Sequence, residues 1–189
     1  MTAPNHVASR QTIVILDFGA QYSRLIARRI RECNVYCEIL PSNTPWERIA
    51  ALQPRGFVLS GGPYSVYDPG APLAPVEVLR GGLPILGICY GMHLLGEQLG
   101  GSIIGSEQRE YGPAEIERVE AHPILAGLPD RFKVWMSHGD SVGTLPPGFQ
   151  VIGRTDTTPV AAIAGANGLI GVQFHPEVMH TPQGAQILR

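Results

Sequence analysis

The stretch Ile85-Leu86-Gly87-Ile88-Cys89-Tyr90-Gly91-Met92-His93-Leu94-Leu95-Gly96 decides the fold. Its first four residues are an apolar run and read as a buried strand. Residues 90–99 read as a helix, stopped by Gly100-Gly101. No loop separates the two, so Cys89 stands on the turn, with glycine two residues before it and two after. That is the spacing of a nucleophile elbow with cysteine in place of serine. Small neighbours let strand and helix pack while the side chain points outward. A sulfur at a helix N-terminus faces the positive end of the dipole, which favours the thiolate. The N–H of Tyr90 is left to donate to a developing oxyanion. A buried structural cysteine is the competing reading.

Outward from the elbow, short apolar runs alternate with helical spacing. Residues 13–16 form a strand ending at Asp17-Phe18-Gly19. Tyr22, Leu25, Ile26 and Ile30 then recur with helical period. Residues 35–40 and 56–59 are further strands. Between them Thr44 is expected to cap a short helix with Pro45 at its first position. The alternation predicts an α/β fold, an open and mostly parallel sheet flanked by helices. The second half differs. Residues 114–119, 133–136, 151–155, 160–164 and 169–174 are strand-like, and some are expected to extend the sheet antiparallel at one edge, making it mixed. Residues 181–188 read as a closing helix.

Composition fits one domain over residues 11–189, behind a flexible tail at residues 1–10. Of 189 residues, 44% are hydrophobic and 16% charged, which excludes a disordered chain. A formal charge of −2 gives no electrostatic case for nucleic acid or an anionic membrane. No apolar run approaches a membrane span and no secretory signal is visible, so a cytoplasmic protein is expected. Cys33 and Cys37 have no histidine near them in sequence and read as structural filler; no metal site is expected.

A thiol nucleophile needs an imidazole, and the imidazole needs a partner to fix its tautomer. His175 ends the apolar run 169–174 and is followed by Pro176 and Glu177. Pro176 keeps His175 extended. Residues 175 and 177 of an extended chain face the same side, so Glu177 can hold one ring nitrogen while the other faces the thiol. A strand-end histidine beside a solvated glutamate is the plainer alternative. Ser60-Gly61-Gly62-Pro63 follows another strand, where two glycines let a backbone N–H approach a ligand closely. It reads as the second oxyanion donor, as a phosphate loop (Ser60 to Ser65 spells S-G-G-P-Y-S), or as a tight turn.

Together, Gly87-Ile88-Cys89-Tyr90-Gly91, Ser60-Gly61-Gly62-Pro63 and Phe174-His175-Pro176-Glu177 resemble the class I (triad) glutamine amidotransferases. Leu16-Asp17-Phe18-Gly19-Ala20-Gln21-Tyr22, Arg109-Glu110-Tyr111-Gly112, Trp135-Met136-Ser137-His138-Gly139-Asp140 and His180-Thr181 are similar to the branch of that family tied to GMP synthesis. The resemblance runs from about Ile13 to Leu188 and implies a flavodoxin-like fold. It implies hydrolysis of L-glutamine to glutamate and ammonia, with Cys89 forming a γ-glutamyl thioester, His175 as base and then acid, and Glu177 orienting it. It places the oxyanion hole on the backbone N–H groups of Gly62 and Tyr90. It puts the glutamine α-groups against main chain around Ser137, Gly139 and Asp140. His93 stands where the family usually has glutamine, near the α-carboxylate, and a new charge is expected there near pH 6.5. No cofactor is implied for this domain. ATP and Mg2+ are expected in a synthetase (ATP pyrophosphatase) domain or subunit that uses the ammonia to turn xanthosine monophosphate into GMP. That unit is not within the 189 residues; this is consistent both with a truncated chain and with a free-standing subunit. The rival functions are a stand-alone cysteine hydrolase or peptidase, or a catalytically idle docking subunit.

Overall fold

The computed structural model describes residues 11–189, apart from the side chains of 106–108. In chain order the first half holds β1 (Thr12–Asp17), α1 (Ser23–Glu32), β2 (Tyr36–Pro41), α2 (Trp46–Ala50), β3 (Pro54–Leu59), α3 (Val76–Arg80), β4 (Ile85–Ile88) and α4 (Tyr90–Gln98). The second half holds β5 (Ser102–Arg118), β6 (Arg131–Thr144), β7 (Gln150–Arg154), β8 (Ala162–Ala164), β9 (Leu169–Val172) and α5 (Gly184–Ile187). All the strands join one sheet in the order β2-β1-β3-β4-β9-β8-β7-β5-β6. Pairings from β2 to β9 are parallel. From β9 outward they are antiparallel. The sheet is therefore mixed, with its antiparallel part at one edge.

The parallel strands are apolar on both faces because both faces are covered. Ile15, Val58 and Ile88 pack with Ile26, Ala27 and Ile30 of α1 and Ile187 of α5. Their strand neighbours Val14, Leu16, Leu59 and Ile85 point the other way. They pack with Ile49 of α2, Val78 and Leu79 of α3, and Leu94 and Leu95 of α4. Alternation along each strand thus serves two cores, which is why the runs read as continuous rather than amphipathic. Because β1, β3, β4 and β9 run parallel, their carboxyl ends meet at one rim of the sheet, where ligands of open α/β sheets bind. Asp17, Ser60, Cys89 and His175 all come to that rim.

Three expectations need correction. Thr44 does not cap α2. Its hydroxyl donates to the Pro41 carbonyl at 2.7 Å, closing the turn after β2, and Pro45 itself holds the N-cap position in an extended conformation. The separate short strands expected at 114–119 and 133–136 belong to one long antiparallel hairpin, β5 of 17 residues and β6 of 14. The ladder shifts register between Gly105 and Glu110 and carries Gly112 and Pro113 in continuous pairing with Met136 and Trp135. The closing helix shortens to Gly184–Ile187. Residues 1–10 lie outside the described residues, so the expected tail has no structural counterpart in this description.

Candidate active site

The turn between β4 and α4 forces Cys89 into φ 52°, ψ −106°, a region that costs a non-glycine residue about 1–3 kcal/mol. The surroundings hold it there. Its N–H donates to the Val172 carbonyl of the neighbouring strand at 2.8 Å. The flanking glycines are required by space. A Cβ on Gly87 would lie 2.5 Å from the Gly91 carbonyl oxygen, and one on Gly91 would lie 2.3 Å from that of Leu59. Cys89 is 6% exposed, and its thiol donates to the Ser137 carbonyl at 3.6 Å.

His175 follows β9 and is pinned through its main chain. Its N–H donates to the Trp135 carbonyl of β6 at 3.0 Å. Its carbonyl accepts from the Thr181 hydroxyl at 2.7 Å, and that oxygen in turn accepts from the Trp135 N–H at 3.0 Å. Nδ1 lies 2.8 Å from Glu177 Oε1. A carboxylate accepts, so Nδ1 carries a proton and Nε2 is the ring nitrogen left free of Glu177. Burial opposes a charge on the ring, but hydrogen bonds to Cys89 and Glu177 and their charges outweigh it and push the imidazole up to about 10. Glu177 is 1% exposed, and its second oxygen has no hydrogen-bond partner among the described residues.

Cys89 opens on two cavities. One, of about 390 Å³, is walled by Gly62, Tyr64, His93, Ser137, Gly139 and Asp140, with Arg109 and Asp68 as its further charged groups. The other, of about 250 Å³, lies toward Gln21, Tyr22, Gly61 and His175. The loop after β3 divides them. Its Ser60 hydroxyl accepts from Phe18 N–H and donates to the Gly61 carbonyl, and the Ser60 carbonyl accepts from Gly91 N–H at 3.1 Å. A Cβ on Gly61 would press on His175 Cε1 at 3.2 Å, and one on Gly62 on the Phe18 carbonyl oxygen at 2.6 Å. Among the described residues, neither Gly62 N–H nor Tyr90 N–H has a main-chain acceptor. Of the three readings of this loop, the oxyanion donor is the one its place beside Cys89 favours.

Ser137, Gly139 and Asp140 sit on β6, whose backbone here is held from behind. The buried His138 ring hydrogen-bonds through Nδ1 to the Asp140 carbonyl at 2.8 Å. Glu110 of β5 stands 3.5 Å from its Nε2 and accepts from the Thr155 and Thr158 hydroxyls. Sequence reasoning missed this brace, since Glu110 and His138 were legible only as parts of family-like motifs. It also missed Gln173, which is fully buried and whose Nε2 lies 3.8 Å from the Cys89 sulfur.

His93 lines the larger cavity, but the charge expected on it does not form. It is 3% exposed and its Nε2 is 2.8 Å from Gln173 Oε1. Burial pushes its pKa down to about 4, so the ring is neutral near pH 7. A histidine depressed in the folded state binds its proton more readily unfolded. Its contribution is therefore present above about pH 6.5 and lost as pH falls through about 4. Urea unfolding should show the parent losing about 3 kcal/mol over that range that a His93→Gln variant does not lose. Equal losses in both proteins would contradict the assignment.

Cys33 and Cys37 match their structural reading. Cys37 is buried, its thiol donates to the Ala27 carbonyl at 3.5 Å, and burial pushes it up. Among the described residues, no group of three or more His, Cys, Asp or Glu side chains could hold a metal ion.

Residues 14–189 match the family model "Glutamine amidotransferase class-I". The GMP synthase [glutamine-hydrolyzing] of Thermomicrobium roseum is 58% identical over 181 residues, covering 96% of this chain and 34% of the relative. That of Dehalococcoides mccartyi strain CBDB1 is 54% identical over 181 residues, covering 95% and 34%. The chain thus spans about a third of the length of these curated relatives. Among solved structures, a Thermoplasma acidophilum protein described as a candidate GMP synthase subunit superposes with TM-score 0.80 at 28% identity, covering 95% of this chain and 91% of that one. A glutamine amidotransferase from Thermotoga maritima shares the fold at TM-score 0.70 and 22% identity, covering 89% and 77%.

Proposed function

The chain belongs to the class-I glutamine amidotransferases, and from that premise we propose that it hydrolyses the side-chain amide of L-glutamine through Cys89, His175 and Glu177. The observation that carries this reading is the buried Nδ1–Oε1 contact of 2.8 Å behind an imidazole that lines the same cavity as the elbow sulfur. The Cys89 sulfur, its proton already held by the raised His175 imidazole, attacks the amide carbon. The oxyanion that forms accepts from the N–H groups of Gly62 and Tyr90. His175 returns the proton to the departing nitrogen, ammonia leaves, and a γ-glutamyl thioester remains for water to cleave. Ser137, Gly139 and Asp140 hold the α-amino and α-carboxylate groups in the larger cavity, with His93 at its back.

The ammonia is used by a synthetase, an ATP pyrophosphatase domain or subunit, that converts xanthosine monophosphate to GMP with ATP. Support comes from the relatives, which are named GMP synthases and are about three times as long as the stretch matched. ATP and Mg2+ belong to that unit, this domain works without a cofactor, and the compartment is the cytoplasm.

A chloroketone analogue of glutamine tests the reading. The full chain should take up one equivalent, mapped by mass spectrometry to Cys89, and excess glutamine should protect it. The Cys89→Ala variant should take up none and lose glutamine hydrolysis. Adducts confined to Cys33 or Cys37, or peptide turnover with glutamine ignored, would refute it.

A further inference from the structure

Cys89 and His93 lie four residues apart, one turn on, so they share a face of the helix start. Gln173 and His175 flank Phe174 on the bent stretch that leaves β9, while Val172 and Phe174 pack into the core. The two patterns converge on the sulfur. Gln173 reaches it from one side, and His93 touches Gln173 rather than the sulfur. The chain of contacts is His93 Nε2 to Gln173 Oε1 at 2.8 Å, then Gln173 Nε2 to Cys89 Sγ at 3.8 Å. An amide oxygen only accepts, so His93 Nε2 carries a proton, and with Oε1 engaged the amide turns its N–H toward sulfur.

We infer that Gln173 is a further catalytic residue, donating a hydrogen bond to the Cys89 sulfur, and that His93 is a positioning residue that aims it. This rests on the glutaminase reading above and deepens it. The donor matters most when sulfur carries charge. In thioester hydrolysis the water oxygen bonds to the carbonyl carbon and one water proton passes to His175. The carbon–sulfur bond then breaks with its electron pair left on sulfur, and glutamate departs. Gln173 N–H is in place to meet that pair, and hydrogen bonds to a charged acceptor are the strong ones.

The test reads sulfur reactivity directly and needs no turnover. In the full chain, Gln173→Met, which keeps volume but removes the donor, should slow iodoacetamide alkylation of Cys89 at pH 7 by about 10- to 100-fold. It should lower kcat for glutamine in parallel while KM shifts less than about threefold. His93→Leu should do the same, His93→Gln should recover at least about tenfold over His93→Leu, and the His93→Leu/Gln173→Met pair should be no slower than Gln173→Met alone. Should Gln173→Met fail to fold, the contrast of His93→Leu with His93→Gln carries the test. Alkylation at the parent rate in a folded Gln173→Met, or His93→Leu raising KM with alkylation intact, would overturn the inference. Because alkylation does not depend on the substrate, either result leaves the identity of the hydrolysed amide to be judged separately.

Discussion

Gly91→Ala should cost about 3–5 kcal/mol, enough to remove much of the stability of a domain this size. The added carbon would lie 2.3 Å from the Leu59 carbonyl oxygen, 2.7 Å from its Cβ and 2.8 Å from its carbonyl carbon. Two of these are main-chain atoms of β3, in the middle of the parallel sheet, so no side-chain rotation relieves the clash. The start of α4 must lift away. That breaks the Gly91 N–H bond to Ser60, and with it the contact that ties the loop after β3 to the elbow. Gly105→Ala is the control. Its Cβ would meet only Asp140 Oδ1, at 4.0 Å, and it should change stability by no more than about 0.5 kcal/mol. Thermal denaturation decides. At roughly 2–4 °C per kcal/mol, Gly91→Ala should melt about 6–20 °C below the parent, and a transition within about 2 °C of it would show that the elbow tolerates a side chain there.

His175→Asn should lower kcat for glutamine by about 10³- to 10⁴-fold, since it removes the imidazole that meets the sulfur and with it both proton transfers. Glu177→Gln should cost less, about 10- to 100-fold. The amide oxygen can still accept from Nδ1 and hold the tautomer, but the charge that stabilises the imidazolium is gone. Its pH profile separates the two roles. Glu177 is among the groups that raise His175 to about 10, so its neutral replacement should move the alkaline limb of kcat/KM to lower pH. An alkaline limb that stays in place while kcat falls would mean that Glu177 acts on something other than the ring.

Much of this site could be read from residue spacing because its geometry is local. The glycines at 87 and 91 declare a turn that no larger residue fits. The pairing of His175 with Glu177 was legible as a two-residue step, although the chain makes it through a turn at 176–177 and not by extended alternation. Gln173, two residues before His175, was left unused. What could not be read depends on distant packing. The neutrality of His93 follows from its burial between α4 and Gln173, whereas free histidine titrates near neutrality. Thr181 clamps His175 to β6 only because the chain returns there after the Glu177 turn. The β5–β6 hairpin was hidden by glycines that mark a break in most strands. The five-residue helix α3 was not read from the sequence.

The sulfur stands between two hollows, so arrival and departure can use different sides. On the proposed reading, glutamine fills the Ser137 side up to the reacting carbon. The far chamber, bounded by Gln21 and Tyr22, is then left open to water or ammonia. A small molecule lodged in that rear chamber would stall turnover without crowding out glutamine, so added substrate would not relieve the block.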